Sequence, residues 1–203
     1  LIASYTTQNS RLSSDIVLCM TEFKQKIWMG TDGGGINILD PTTGNITVLE
    51  HISGDNHSLP TNTILCLHSD SAGNIWAGSK REGVINIREV SMRTYTNVVL
   101  GHNKGLSQST VLQLYQEPAS EELWIATDGG GINKFIPSTE TFVHYPDTWG
   151  DKMVSITSFT PNELLVSAFS KGIFIFDKKT GKKRPFAIMS PSLEHHIRYS
   201  GQP

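Results

Sequence analysis

Apolar residues occur along this chain in short runs that polar, glycine-containing turns separate. The run Ile64-Leu65-Cys66-Leu67 and the polar turn at 69–74 that follows it give the clearest example. Such runs have the length of β-strands and are far shorter than the ~20 residues that a membrane-spanning helix needs. Alternation of short apolar runs with Gly, Asn, Asp and Ser clusters is typical of strands and turns. The pattern therefore predicts an all-β chain with negligible helix.

The strand pattern repeats about every 47 residues, which is the property that decides the fold class. Three tryptophans are spaced 48 residues apart, and a glycine follows each of them by seven positions: Trp28, Trp76 and Trp124, then Gly35, Gly83 and Gly131. A fourth copy carries Leu165 in the tryptophan position and lacks the run of three glycines. Each copy is predicted to form four short antiparallel strands, with the tryptophan in the second.

A four-stranded sheet that is apolar on both faces must be covered on both faces. Radial repetition of such sheets solves this problem, so the repeat predicts a β-propeller in which each module is one blade. A right-handed parallel β-helix is the structural alternative, but its coils are shorter than this module. Modules are predicted at 12–58, 59–105 and 106–152, with a degenerate one at 153–192.

The two ends of the chain predict incomplete blades. Residues 1–11 resemble the last strand of a preceding blade with its connector, and residues 193–203 resemble the start of a following one. About four blades would thus form part of a larger ring, of about seven blades. The apolar faces of the end blades are expected to meet the remainder of the same propeller or a second chain.

Charge, cysteines and histidines exclude several function classes. The 17 basic and 19 acidic residues nearly cancel, so no nucleic-acid partner is expected.

Cys19 and Cys66 hold matching positions in neighbouring modules, and packed sheets are too far apart for a disulfide, so both are predicted to be buried thiols. His68, inside an apolar strand, is predicted to be a hydrogen-bonded core residue. The scattered histidines predict no metal site, and no cofactor is expected.

No catalytic group can be assembled from the sequence, since neither a carboxylate pair nor a nucleophile with a base is recognisable. The chain is therefore predicted not to be an enzyme. The candidate binding residues lie instead in loops at one end of the blades, where rigid scaffolds commonly carry recognition. Loops between second and third strands contribute Asp32, Lys80, Arg81 and Asp128, and a connection between modules contributes Trp149. Trp149 either stacks on a ligand or fills the gap between modules.

Three segments carry a resemblance to a known family, at 27–37, 73–78 and 122–133, with sequences such as Gly-Asn-Ile-Trp-Ala-Gly. They resemble two-component regulator propeller repeats, and the resemblance extends over 1–192. It implies the periplasmic sensor domain of an inner-membrane hybrid two-component system, with histidine kinase and response regulator parts outside this chain.

The resemblance also implies an oligosaccharide ligand, a homodimeric full-length sensor and a signal passed to the kinase. It assigns no ligand-binding residue, because the repeated motif is structural. A propeller that serves as a protein–protein interaction scaffold, without a small ligand, is the alternative function.

Overall fold

The computed structural model describes residues 4–55, 57–88, 91–97, 104–118 and 120–187. These ranges contain sixteen β-strands and one short 3-10 helix, Pro146–Thr148. The all-β prediction is therefore confirmed.

The strands form four sheets of four strands each. The first sheet contains β1 (Val17–Phe23), β2 (Lys26–Thr31), β3 (Ile36–Leu39) and β4 (Ile46–Leu49). The second contains β5 (Ile64–Ser69), β6 (Ile75–Ser79), β7 (Val84–Arg88) and β8 (Ser91–Tyr95). The third contains β9 (Val111–Gln116), β10 (Leu123–Thr127), β11 (Gly131–Ile136) and β12 (Thr141–His144). The fourth contains β13 (Met153–Thr160), β14 (Glu163–Ala168), β15 (Gly172–Asp177) and β16 (Lys183–Pro185).

Each sheet is an antiparallel meander in which strands that follow one another in the chain are hydrogen-bonded neighbours. The repeated tryptophans occupy equivalent places in the second strands. Each lies between one residue of the first strand and one of the third: Thr21–Trp28–Ile38, His68–Trp76–Asn86 and Tyr115–Trp124–Lys134. Leu165 takes this place in the fourth sheet, between Thr157 and Ile175. The repeat in the sequence is thus a repeat of strand register.

The four sheets are arranged radially, with their first strands innermost. β1 contacts β5, β5 contacts β9, and β9 contacts β13, while the second strand of each of the first three sheets also touches the first strand of the next. Among the described residues no comparable contact joins the fourth sheet back to the first. The fold is a β-propeller, of which this chain forms four blades of an open, partial ring.

The core lies between neighbouring blades and contains most of the large apolar side chains. Trp76 and Trp124 are buried there, at 5% and 2% exposure, as the sequence predicts. Trp28 is half-buried, so the expectation that all three repeated tryptophans are largely buried is met less fully in the first blade. The physical reason is that aliphatic residues, Leu49 and Ile87, take the register positions at the interface between the first and second blades that Tyr95 and Phe135 take around Trp76.

A buried asparagine on the third strand ties the middle of a blade to the loop that leads into it. Asn37 accepts a hydrogen bond from the Ser13 backbone N–H (3.0 Å) and donates one to the Ser13 hydroxyl (2.6 Å). Asn133 and Ser107 make the same two bonds, at 2.9 and 2.8 Å. These reciprocal pairs satisfy an amide that would otherwise be costly to bury.

The second blade lacks this pair. Pro60 stands where the other two blades have serine, and proline offers neither an N–H nor a hydroxyl. Asn86 is 2% exposed, and its Nδ2 has no hydrogen-bond partner among the described residues. Its Oδ1 instead accepts a bond from Arg88 Nε at 2.9 Å.

Other sequence-based expectations have mixed outcomes. Both cysteines are free, but only Cys66 is buried and Cys19 is half-buried. Burial raises the pKa of Cys19 to about 11 and also raises that of Cys66, so both remain thiols at neutral pH. His68 is half-buried, but its Nε2 lacks a hydrogen-bond partner among the described residues.

The two predicted incomplete blades are described only in part. No strand forms in the described residues 4–11, and residues 1–3 and 193–203 lie outside the described ranges. Within the described part of the chain, no helix has the length and hydropathy that a bilayer crossing requires.

Candidate functional site

The loops that join second and third strands all lie at the same end of the blades. In each blade the first residue of this loop donates its backbone N–H to the residue that precedes the first strand. The four bonds run from Asp32 to Ile16 (3.0 Å), Lys80 to Thr63 (3.2 Å), Asp128 to Thr110 (3.0 Å) and Phe169 to Lys152 (2.8 Å). The loops between modules therefore meet the loops within modules at this end.

The repeated glycine closes each of the first three of these loops. In the second blade the Ser79 hydroxyl donates to the carbonyl oxygen of Gly83 at 2.9 Å. Gly83 has a φ of +79°, and a Cβ on it would lie 2.0 Å from the Tyr95 carbonyl oxygen. Only glycine combines this conformation with such close approach. The loop backbone is consequently well determined, and its variable side chains project from a fixed frame.

The structure places the predicted site residues in two groups at this end. Asp32, Lys80 and Arg81 are exposed and belong to the first two blades. Asp32 accepts a hydrogen bond from the Thr63 hydroxyl at 3.1 Å, and the Lys80 backbone binds the Thr63 carbonyl, so these two loops adjoin. Arg81 has a strained φ of +91° at its loop tip.

Asp128 and Trp149 form the second group. The backbone of Gly129, next to Asp128, exchanges hydrogen bonds with the connection that carries Trp149, through Asp151 and Gly150 at 3.1 and 2.9 Å. Asp128 also forms an ion pair with Lys152 at 3.0 Å. The structure thus brings Asp128 and Trp149 to adjoining loops.

Trp149 is presented outwards by a connection that is anchored by two buried residues, Thr148 and Asp151. The connection begins with the 3-10 helix Pro146–Thr148, in which Thr148 is fully buried. Its hydroxyl accepts the Ile132 N–H at 2.9 Å and donates to the Tyr145 carbonyl at 2.7 Å. Trp149 is 55% exposed. Thr148 and Asp151 therefore fill the gap between these modules, and the Trp149 ring does not.

Asp151 fixes the second half of this connection through charge. Its carboxylate is 1% exposed and pairs with Lys171 at 2.5 Å and with Lys183. Burial alone would raise the pKa of Asp151, but the hydrogen bonds from the two lysines outweigh it and lower the pKa. The carboxylate is therefore ionised at neutral pH and links the third-to-fourth connection to the β14–β15 loop and to β16 of the fourth blade.

Phe169 is a candidate that the sequence-based prediction missed. It is 65% exposed, and Lys152 Nζ lies 5.6 Å from the centre of its ring. Alignment of the repeats could have identified Phe169, because the equivalent positions in the other three blades hold charged residues: Asp32, Lys80 and Asp128. A large apolar residue where its equivalents are charged is unexpected in a loop that only solvates the surface.

We call this group of exposed or half-exposed side chains the Trp149 surface; it comprises Asp128, Trp149, Lys152, Phe169 and Lys171. It combines two aromatic rings with charged hydrogen-bonding groups on a backbone held by hydrogen bonds and glycine turns. Such a surface can stack on a planar or sugar ring and bind its polar substituents. Among the described residues, no group of three or more His, Cys, Asp or Glu side chains could hold a metal ion.

Comparison with known proteins agrees with the repeat and the fold. Residues 58–81, which contain Trp76, match the family model described as two component regulator propeller. The resemblance noted for the second module is thereby confirmed. No curated protein matches the chain.

Solved structures with this fold include sensor and unrelated propellers. The extracellular domain of BT3049 from B. thetaiotaomicron, described as a hybrid two component system, aligns with a TM-score of 0.80 and 19% identity over 91% of this chain. The alignment covers 26% of that domain, so this chain spans about a quarter of its length. The WD40 repeats of RRP9 align with a TM-score of 0.61 and 10% identity, over 83% of this chain and 50% of theirs. The computationally designed Ika8 protein aligns at 0.57 and 16% identity, over 82% and 47%. At sequence identities this low, the structural similarity shows a shared fold and nothing further.

Proposed function

We propose that this chain is part of an extracytoplasmic, periplasmic sensor domain and that it binds an oligosaccharide at the Trp149 surface. Binding would be transmitted to a kinase outside this chain. The observation that carries the proposal is the exposure of Trp149 and Phe169 on adjoining, rigidly held loops.

The family context supports the sensor part of the proposal. The match over 58–81 is to two component regulator propellers, and a large part of the chain has the fold of an extracellular domain from a hybrid two component system. Propellers with no such role share the fold, as the RRP9 repeats do, so the fold alone does not decide function.

The chemistry of the surface supports a sugar ligand. Trp149 and Phe169 are too exposed to contribute fully to the core, and apolar rings with neighbouring charges suit the apolar face and hydroxyl rim of a pyranose. Lys152, Lys171 and Asp128 have side chains that are 43%, 56% and 38% exposed, so each can reach a ligand. Rigid loops also limit the entropy lost on binding.

The open faces of the partial ring support a larger assembly. Leu18 and Met20 on the innermost strand of the first blade are 42% and 66% exposed, and Ile173 in the fourth blade is 47% exposed. Apolar side chains on a propeller sheet are normally covered by the next blade. In the proposal these faces are covered by further blades of the same sensor or by a second chain.

A glycan array on the full chain, followed by calorimetric titration of the best binder, tests the proposal. Trp149→Ala should weaken binding about tenfold or more, with little change in the unfolding temperature, because the ring contributes little to the core. Phe159→Ala is the matched control, since Phe159 is 45% exposed near the far end of β13 from these loops.

The two variants separate the proposal from its alternative. Loss of binding in Trp149→Ala and normal binding in Phe159→Ala would support the sugar site. An array with no binder, or equal affinities for the two variants, would refute it and favour a protein–protein interaction scaffold.

A further inference from the structure

The fourth blade differs from the other three in what the polar residue at its entrance contacts. This residue lies two positions before the first strand and is Asp15, Asn62, Ser109 and Asp151 in successive blades. In the first three blades its side chain hydrogen-bonds to the segment that leads into the blade: Asp15 to Thr7, Asn62 to His51 and Ser109 to Asn97. The Asp151 carboxylate instead pairs with Lys171 and Lys183, which lie further along the chain in the fourth blade itself.

Both partners of Asp151 are exceptions to the repeat. Lys171 is the third residue of the loop between the second and third strands, where the other blades have Gly34, Glu82 and Gly130. Lys183 pairs with Phe176 on the third strand, and the residues at the same register in the other blades are Ile46, Met92 and Phe142. Neither position is basic in another blade, so the two ion pairs are specific to the fourth blade.

Asp151 lies between the loops that form the Trp149 surface. It follows Trp149 by two positions in the same connection. Its carbonyl oxygen accepts the backbone N–H of Gly129 at 3.1 Å, which holds the loop that carries Asp128. Its own N–H donates to the Thr148 carbonyl oxygen at 3.3 Å and closes the turn that contains Trp149. The backbone of Asp151 thus joins the Trp149 connection to the loop of the third blade.

The Asp151 side chain joins the same connection to the loop that carries Phe169. The backbone N–H of Phe169 donates to the Lys152 carbonyl oxygen at 2.8 Å, and this bond has an equivalent in every blade. The carboxylate adds a contact that the other blades lack, because it pairs at 2.5 Å with Lys171, two positions after Phe169. Asp151 therefore connects the loops of Asp128, Trp149 and Phe169 at a single point.

The ion pair is suited to hold the Phe169 loop in one place. Asp151 is 1% exposed, so its attraction to a lysine is screened less by water and salt than that of a surface charge. Phe169 is 65% exposed, so packing contributes little to the position of its ring. Such a loop needs another restraint, and a loop that is already restrained loses less entropy when it binds a ligand.

We propose that Asp151 is the positioning residue of the Trp149 surface. Through Lys171 it fixes the Phe169 ring relative to the Trp149 ring, so that a single oligosaccharide contacts both. The ligand part of this inference rests on the proposed function, whereas the restraint on the two loops is a property of the free protein. The pair of Asp151 with Lys183 joins the connection to β16 and stabilises the blade without restraining the Phe169 loop.

Amide hydrogen exchange of the free chain, resolved by residue with NMR, tests the restraint. Asp151→Asn and Lys171→Met should each speed exchange of the Phe169 N–H about tenfold or more, because each removes the ion pair that holds this loop. The Lys80 N–H, which makes the equivalent bond in the second blade, should be unchanged. Lys183→Met is the matched control, since it removes an ion pair from the same carboxylate outside the loop. It should leave exchange of the Phe169 N–H within about twofold of wild type.

Three results would overturn the proposal: unchanged exchange at Phe169, an equal rise at Lys80, or an equal effect of Lys183→Met. The first would mean that the loop is held without Asp151. The second would mean that the substitution destabilises the whole chain, and the third that the pair with Lys171 has no special role. Lys171→Met changes an exposed side chain, so the test holds even if Asp151→Asn does not fold.

Calorimetric titration with the best binder from the glycan array tests the link to binding. Phe169→Ala should weaken binding about tenfold in the wild-type background and less than about twofold in the Asp151→Asn background, because a ring that is already displaced contributes little. In Lys183→Met the full effect of Phe169→Ala should remain. Equal effects of Phe169→Ala in all three backgrounds would contradict the positioning role and leave the sugar site intact. An array without a binder would refute the proposed function, and the exchange experiment would then decide the role of Asp151.

Discussion

Replacement of Trp76 by alanine should destabilise the chain about twice as much as the same replacement at Trp28. The two residues hold equivalent places in successive blades and would be treated alike from the repeat alone. They differ in their neighbours, since Trp76 is 5% exposed between two aromatic rings and Trp28 is half-buried beside a cavity. The pair thus tests whether local packing, rather than repeat position, sets the energy of the core.

The expected magnitudes come from the contacts each indole would lose. Removal of a fully buried Trp side chain costs ~3–5 kcal/mol. Trp76 also loses the hydrogen bond from its Nε1 to the Asp70 carboxylate, which places it towards ~5 kcal/mol. Trp28 has no such bond and already borders empty space, so its loss should be about half as large.

Urea unfolding followed by far-UV circular dichroism gives the comparison without relying on the fluorescence of the residue removed. The dependence of the unfolding free energy on urea must stay the same in all variants for the values to be comparable. Trp76→Phe is a useful control, because it keeps an aromatic ring in the site and removes only the indole N–H and part of the volume. Its cost should fall between zero and that of Trp76→Ala.

Two results would refute this reasoning. Equal costs for Trp28→Ala and Trp76→Ala would mean that the cavity and the difference in burial have no energetic consequence. A cost below ~1 kcal/mol for Trp76→Ala would mean that Trp76 is not a core residue at all.

Further predictions concern two buried polar groups. Asp151→Asn should cost ~1–3 kcal/mol near neutral pH, because it removes a buried charge that pairs with Lys171 and Lys183. The folded-state pKa of Asp151 is lowered, so this stabilisation is complete above the unfolded pKa of ~3.9 and is lost as pH falls through the folded value. Urea titrations should thus show the wild-type advantage shrink below about pH 4, and a gap independent of pH would contradict it. Pro60→Ser should supply the hydrogen-bond partners that Asn86 lacks. It also removes the proline that restricts the unfolded chain, which acts in the opposite direction, so the expected net stabilisation is ~1 kcal/mol. Pro60→Ala is its control and should be less stable than Pro60→Ser in thermal unfolding.

The fold could be predicted from the sequence because the repeat is a repeat of register. Trp28, Trp76, Trp124 and Leu165 each lie between a first-strand and a third-strand residue, as their spacing indicates. A period near 47 residues requires one four-stranded unit per copy, and two apolar faces per unit require radial packing.

The candidate sites could be predicted only in part, since they depend on contacts between modules. The sequence placed Trp149 and Asp128 in loops at the same end of the fold, and both lie in the Trp149 surface, but it left open whether Trp149 stacks on a ligand or fills the gap between modules. It gave no indication that Thr148 and Asp151, rather than Trp149, fill the gap between blades. The difference rests on hydrogen bonds and ion pairs to residues 16 to 32 positions away, which no local pattern records.

The proposed sugar site and the cavity beside Trp28 both lie where a blade departs from the repeat. The fourth blade loses the tryptophan and the triple glycine, and there Phe169 replaces the charged loop residue of the other blades. The first interface loses two aromatic positions, at Leu49 and Ile87, and a cavity forms. Repeated positions are constrained because every blade must cover its neighbours, so their side chains serve packing. A position that breaks the pattern gives up some packing energy, and a ligand that replaces the lost contacts recovers it. In a repeat protein, the exceptions to the repeat are therefore the best places to look for binding.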